Sequence, residues 1–339
     1  MKDTPANTAR ESGLPRTDAP VSFVIAARNN WHYLDPCIAS IPRSGVQRSE
    51  VIVVDNASTD GTVGLLRERY LDVRILQNGS NVGHCRAINQ GIRQAQGEYV
   101  VVLDGDTVLW PEAIALLVEF LESHPDAAIA APRMLNADGS VQETARSFPG
   151  LVNGLFGRHS ILTRLFPDNP FSRRYLRRDS TRNPEPIEVD WVSAACMIFR
   201  RSLIDRIGLW DEIFSAYWVD ADWCKAAHAG GKVYCVPAAR VTHFEQNRPG
   251  RKKGAWRLVI FHVGAYRFYR KNRTRGSFDP RALLAAAALT ARCMALVVVD
   301  WCRRPNAGEN LAGGVTADLH NASALPDPPL LGSLEGREK

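Results

Sequence analysis

The chain carries seven cysteines in 339 residues, yet no pair stands at Cys-x-x-Cys spacing. Cys37, Cys85, Cys196, Cys224, Cys235, Cys293 and Cys302 are scattered and odd in number. That pattern argues against a disulfide framework or a structural zinc, and for reduced, mostly buried thiols in a cytoplasmic protein. The stretch 1–20 lacks the apolar run of a signal peptide; it is polar, carries several prolines and reads as a disordered leader. Internal repeats are missing. No glycine-rich loop with a following lysine stands near the first apolar run, which sets a nucleotidyltransferase aside. Acidic residues are absent from 246–275.

At 45% apolar and 23% charged residues, the composition is globular rather than disordered. The length suits one large domain or two ordinary ones. A net charge of +6 points to an anionic partner: nucleic acid, an acidic membrane or a phosphorylated substrate. From residue 21 strands and helices alternate. Val21–Ala27, Val51–Asp55, Val73–Gln77, Glu98–Leu103 and Ala127–Ala131 read as strands. Trp31–Ile41, Asp60–Tyr70, Val82–Ala95 and Pro111–Ser123 read as helices. This alternation predicts an α/β fold with a parallel sheet covered on both faces, whose ligands bind beyond the carboxyl ends of the strands. Three polar clusters fall at those ends: Arg28-Asn29-Asn30, Asp55-Asn56-Ala57-Ser58 and Asp104-Gly105-Asp106.

The second half is less regular. An arginine-rich stretch over 140–185 reads as an irregular insertion over the site. Glu188–Phe199 reads as one strand-like run, Arg201–Ile207 and Asp220–His228 as helices, and Lys232–Pro237 and Arg240–His243 as two short strands. In 246–275, Trp256, Phe261, Tyr266, Phe268 and Tyr269 are interleaved with arginine and lysine. Ala282–Val299 is almost wholly apolar, broken by Arg292. A helix lying on or in a membrane surface is the leading reading, with a buried core helix and a true span as alternatives. The Gly/Pro/Ala/Asn-rich tail over 304–339 reads as disordered.

The strand before Asp104 ends on two carboxylates flanking a glycine. Asp-Gly is a common turn pair, and Asp106 or Thr107 suits the cap of a following helix. The alternative is a hard divalent cation gripped by the two acids. The wider sequence favours the second. VSFVIAARNN, VIVVDNASTDGT, NVGHCRAINQGI and GEYVVVLDGDTVLWPEAI, followed by WVSAACMIFRRSLIDRIGLWDEIF and YWVDADWCKAAHAGGKVYCVPAARVTHFEQN, resemble the family-2 glycosyltransferases of the GT-A fold, in their bacterial rhamnosyltransferase-like branch. The match runs from about 21 to 247. It implies a mostly parallel α/β sheet with flanking helices over 21–247 and a helical, basic and apolar extension over 248–303.

The resemblance also implies roles. Ala27, Arg28, Asn29, Asp55, Asn81, Gly83 and Asp104 would bind the nucleotide-sugar donor, with Arg86 and Asn89 close by. Asp106 and His243 would hold Mg2+ or Mn2+. Asp220 would be the general base, and Trp218 and Asp222 would contact the acceptor or brace the site. Asp222 stays open as a competing base or helix cap, because Val219 stands where the family's acidic motif usually has glutamate. The implied reaction is inverting sugar transfer from dTDP-rhamnose or a UDP-sugar to a glycan or lipid-linked acceptor in cell-surface polysaccharide synthesis, at the cytoplasmic face of the membrane. By their own composition, residues 246–253 read as a mobile lid closing on the diphosphate, with a solvated basic loop or a membrane-facing patch as the alternatives. The alternative is a catalytically weak nucleotide-sugar or glycan binder. Nucleic acid is set aside as a partner, since carboxylates at the rim repel phosphates.

Overall fold

The computed structural model describes residues 15–148, 183–244, 255–274 and 279–302. The arginines expected in the insertion, the 246–253 lid, the 304–339 tail and most of the leader lie outside the described residues.

Along the chain, β1 (Val21–Ala27), α1 (Trp31–Ser40), β2 (Ser49–Asp55), α2 (Thr62–Arg69), β3 (Val73–Gln77), α3 (His84–Gln94) and β4 (Tyr99–Asp104) alternate as the sequence predicts. Then follow β5 (Thr107–Leu109), α4 (Ala113–Ser123), β6 (Ala127–Leu135), β7 (Ala145–Arg146), β8 (Ile187–Val189), β9 (Trp191–Val192) and β10 (Cys196–Arg200). The last elements are α5 (Leu203–Ile207), α6 (Val219–Ala227), β11 (Lys232–His243), α7 (Ala255–Arg273) and α8 (Pro280–Cys302). The main sheet runs β3-β2-β1-β4-β10-β6-β11-β5, with β8 added beside β11. Its first four strands are parallel; β10 is antiparallel to both β4 and β6, so the second half is mixed.

The apolar runs of β1 and β4 are buried because helices cover both faces, as a parallel sheet requires. Side chains alternate across the pleat. Val24, Val100 and Val102 pack on the α3 and α6 side, with Ile88, Trp210 and Trp223. Phe23, Ile25, Val101 and Leu103 pack on the other side, against Leu34 of α1 and Ile114 and Leu117 of α4. Cys37, Cys85, Cys196, Cys224 and Cys235 lie inside these cores as free thiols, and Cys293 is partly buried.

Several sequence expectations are corrected. The two short strands over 232–243 are one 12-residue strand, β11. Its ladder with β6 shifts register between Val236 and Arg240; Pro237 cannot donate to that ladder, so a bulge takes the place of a break. The run 188–199 is divided among β8, β9 and β10. Pro111 sits in the turn ahead of α4, and Glu112 enters the helix with a left-handed backbone, φ 58°. Thr107 begins a strand, so the acidic pair caps no helix. Within this chain the apolar window of Pro280–Val299 is 11% buried, which does not match the buried-core reading of 282–299. Instead α8 packs along α7 and exposes Leu283, Leu284, Met294, Val298 and Trp301, beside exposed Trp256, Val259 and Val263 of α7.

Candidate active site

Strand register brings the polar clusters together. Ala27 lies opposite Asp55, and Ala26 opposite Asp104. Three segments distant in sequence therefore end at one rim. Beyond β4 the chain must reverse sharply at Gly105. A Cβ there would lie 2.7 Å from Asn30 Nδ2, so the small residue lets the Asn30 side chain of the β1 loop come close. The reversal leads into β5, which pairs antiparallel with the end of β11 and sets His243 opposite Thr107. The Phe244 N–H donates to the Asp106 carbonyl at 2.9 Å.

This pairing assembles Asp104, Asp106 and His243 so that one ligand atom of each lies within 4.8 Å of the others. His243 Nε2 is 3.5 Å from Asp106 Oδ1 and 3.9 Å from Asp104 Oδ2. Asp106 and His243 are buried; Asp104 is partly open to the rim. Buried Gln142 orients the imidazole. Its Nε2–H donates to the His243 carbonyl at 2.8 Å, which leaves its Oε1 facing His243 Nδ1 at 3.0 Å. With Nδ1 donating to Gln142, Nε2 is the ring nitrogen that faces the two acids and the one placed to ligate a cation held between them. A pair of carboxylates and a neutral imidazole is a donor set suited to Mg2+ or Mn2+. His84, at the start of α3, adds a second imidazole, with Nε2 3.8 Å from Asp104 Oδ1. Sequence reasoning named neither His84 nor Gln142 as a candidate for this cluster.

The loops around the rim are cross-braced. Asn29 takes a left-handed backbone, φ 47°. Its N–H donates to Ser58 Oγ at 2.9 Å, and its Oδ1 accepts from the Thr59 N–H at 2.7 Å. Arg28 is exposed beside it. Asp55 is fully buried. Its Oδ2 accepts from the Ser58 N–H at 3.2 Å, while its Oδ1 has no hydrogen-bond partner. Asn56 ties this loop to the next: its Nδ2–H donates to the Gly83 carbonyl and its Oδ1 accepts from the Val82 N–H. Helix α3 starts at His84, later than expected, and Asn81 does not cap it. Asn81 Oδ1 accepts from the Gly83 N–H, within a turn that needs Gly83 at φ 90°. Arg86 pairs with Glu212, and buried Asn89 bonds both backbone groups of Trp210. Both residues therefore fasten the 210–212 loop to α3.

Asp220 and Asp222 open α6 and serve different neighbours. Asp222 is buried and accepts from Lys271 Nζ at 2.8 Å and Asn272 Nδ2 at 3.1 Å. Asp220 Oδ1 accepts from the Ala221 N–H at 2.9 Å. Burial raises the Asp220 pKa above the usual carboxylate value, against hydrogen bonds from Ala221 and Ala194 and the nearby Arg146 charge. The Ala194–Ala195 turn also accepts the Asp104 N–H, at Ala195 O and 2.9 Å, so the two acids approach one turn. Trp218, expected to contact the acceptor, is tied to α7. Its Nε1–H donates to the Phe261 carbonyl at 3.0 Å, and its ring packs on Phe261 and Phe268 of α7. Val219, where glutamate was expected, is buried in the core.

Residues 22–208 match the family model for glycosyl transferase family 2. The chain belongs to this family. It is 32% identical over 248 residues to an N-acetylglucosaminyl-diphospho-decaprenol L-rhamnosyltransferase of Mycobacterium tuberculosis, covering 70% of this chain and 79% of that protein. The fold resembles a mannosyltransferase from Pyrobaculum calidifontis solved with GDP-Man and Mn2+, with TM-score 0.53 and 20% identity, covering 92% of this chain and 82% of that one. It also resembles GalNAc-T7 solved with UDP, GalNAc and Mn2+, with TM-score 0.54 and 16% identity, covering 84% and 57%. The protein is therefore a glycosyltransferase with a GT-A-like fold, and the Asp104–Asp106–His243 cluster is the candidate metal centre of this family-2 enzyme.

Proposed function

We propose that this glycosyltransferase moves a rhamnosyl or related hexosyl group, with inversion, from a nucleoside-diphosphate sugar to a hydroxyl of a lipid-linked glycan. The observation that carries this reading is the convergence of Asp104, Asp106 and His243 at the strand-end rim. The relative's name supports rhamnose as the sugar and a polyprenyl-diphosphate saccharide as the acceptor. A UDP-sugar is the alternative donor.

The unpartnered Asp55 Oδ1 suits a nucleobase N–H or a ribose hydroxyl, since a buried acceptor left unsatisfied is costly. Ala27, Arg28, Asn29, Asn81 and Gly83 frame that side of the donor, and Asp104 faces the ribose. Asp106 and His243 would hold the divalent ion, Mg2+ or Mn2+. Bound there, it would neutralise the charge that develops on the departing diphosphate. Asp220 takes the proton of the acceptor hydroxyl as that oxygen bonds to the anomeric carbon and the bond to the diphosphate oxygen breaks. Its raised pKa brings a carboxylate nearer the operating pH, which favours such a transfer.

The catalytic domain of this reading spans 21–247, and the extension over 248–303 rests on the cytoplasmic face of the membrane. Support for that placement is the exposed apolar strip of α7 and α8, on a segment whose α7 portion contains no acidic residue.

Thermal shift with dTDP, UDP and GDP, each with and without Mn2+, tests the donor class, followed by transfer assays with dTDP-rhamnose and a polyprenyl-diphosphate N-acetylglucosamine. A metal-dependent rise in Tm with one nucleotide, together with transfer, is expected. Nucleotide binding with no transfer across a broad acceptor panel would instead favour a binding protein.

A further inference from the structure

The α6 helix begins in an unusual way. Trp218, a bulky aromatic, takes a left-handed backbone at φ 74°, and no side chain caps the helix. Such a conformation persists only where its surroundings over-determine it. Those surroundings are supplied by α7. The Trp218 Nε1–H bonds the Phe261 carbonyl. Gly264 lets the helix come close: a Cβ there would sit 2.9 Å from Trp218 Cδ1 and 3.1 Å from the Tyr217 carbonyl oxygen. Further along α7, Lys271 Nζ bridges Asp222 Oδ2 at 2.8 Å and Asp211 Oδ2 at 2.7 Å. Asn272 Nδ2–H reaches the other Asp222 oxygen at 3.1 Å and the Phe268 carbonyl at 3.1 Å. Burial works against the Lys271 ammonium, but its hydrogen bonds to the two carboxylates outweigh that and raise its pKa.

These contacts bracket Asp220, two residues to either side. On a helix, residues two apart point about 200° apart. With Asp222 drawn toward α7, Asp220 is turned away from it, toward Ala194 and Arg146. We propose that α7 is the positioning element for Asp220: Lys271 and Asn272 act through Asp222, and Phe261 and Gly264 act through Trp218, to fix the direction in which Asp220 presents its carboxylate. The inference rests on Asp220 being the base. It assigns Lys271 and Asn272 a positioning role without contact to either substrate. It also makes α7 a support of the site rather than an appendage.

The test compares Lys271→Ala, Lys271→Arg and Asn272→Ala in the full chain, by amide hydrogen exchange and by steady-state transfer. Lys271→Ala should speed exchange at 217–224 by about tenfold or more while leaving β1 to β4 as in wild type. It should lower kcat roughly 10–100-fold with KM for the donor unchanged. Lys271→Arg should recover most of both, because a guanidinium can still reach two carboxylates. Asn272→Ala should show the same pattern more weakly, and it decides the matter if Lys271→Ala fails to fold. Unchanged exchange at 217–224 in a folded variant overturns the proposal. So does a loss of activity that appears entirely in donor KM. Should Asp220→Asn retain transfer, the base assignment fails on its own, and the exchange data still decide whether α7 holds α6.

Discussion

At the donor rim, Ala27, Asp55 and Asp104 are held by the hydrogen-bonded ladder of β1, β2 and β4. On the α6 flank, by contrast, the direction of Asp220 depends on side chains of α7, with Lys271 49 residues from Asp222. A ladder fixes many residues at once, and no single side chain is indispensable to it. A flank held by a few charged and aromatic contacts is specified by those contacts and fails with them. On the proposed reading the difference separates two duties: a donor side fixed by the ladder, and an acid whose aim is set by α7.

The sharpest way to break this comparison is at Asp220. Replacing it with asparagine should cost roughly 10²–10⁴-fold in transfer, the range typical of general-base catalysis, with nucleotide binding unchanged. The same substitution should stabilise the fold at neutral pH. The folded-state pKa of Asp220 is raised, so native wild type bears a cost of ionisation that sets in as pH rises from the unfolded value through the folded one. That cost is absent in acid, so the Tm advantage of the variant should vanish as pH falls below the ordinary carboxylate range. A gain in stability with a loss of rate separates a functional acid from a structural one.

A smaller effect is expected at His84. It approaches Asp104 from α3, independently of the β5–β11 pairing. His84→Ala should weaken Mn2+-dependent nucleoside-diphosphate binding about 10–100-fold, as loss of a supporting group at a metal site does. Calorimetry measures this; unchanged affinity would restrict the metal-diphosphate region to Asp104, Asp106 and His243. Gly105→Ala sharpens the rim side. Asn30 must swing its amide away from the new Cβ, which should lower the urea midpoint by a small amount, on the order of 1 kcal/mol or less, and release the Asn30 side chain from the rim. The mildest change lies on the outer strip. Leu284→Glu with Trp301→Glu should reduce sedimentation with anionic phosphatidylglycerol vesicles while Tm stays within a few degrees, because both side chains are exposed. Vesicle binding equal to wild type would remove the support for a membrane-facing strip.

The parallel half of the sheet was legible in the sequence because its information is local. Continuous apolar runs at β1 and β4 require burial on both faces, and each ends in its polar cluster. What remained hidden is long-range. Gln142 orients His243 across 101 positions, and no spacing signals such a pair. His84 lay in a recognised motif, but its approach to Asp104 follows from where α3 lands on the sheet. Trp218 reads in sequence as a sugar-stacking platform beside the proposed base; its bond to α7 depends on where that helix lands. Asp220 and Asp222 look alike in sequence; their partners distinguish them. Val219 looked like a lost acid, yet its side chain belongs to the core.

The most direct test of the metal-diphosphate site is calorimetric titration of dTDP and UDP into wild type and Asp106→Asn, with Mn2+ and with EDTA. Wild type should bind one of the two nucleotides tightly with Mn2+ and at least tenfold more weakly with EDTA, whereas Asp106→Asn should bind weakly in both conditions. Equal affinity in all four combinations, from a folded variant, would contradict the account.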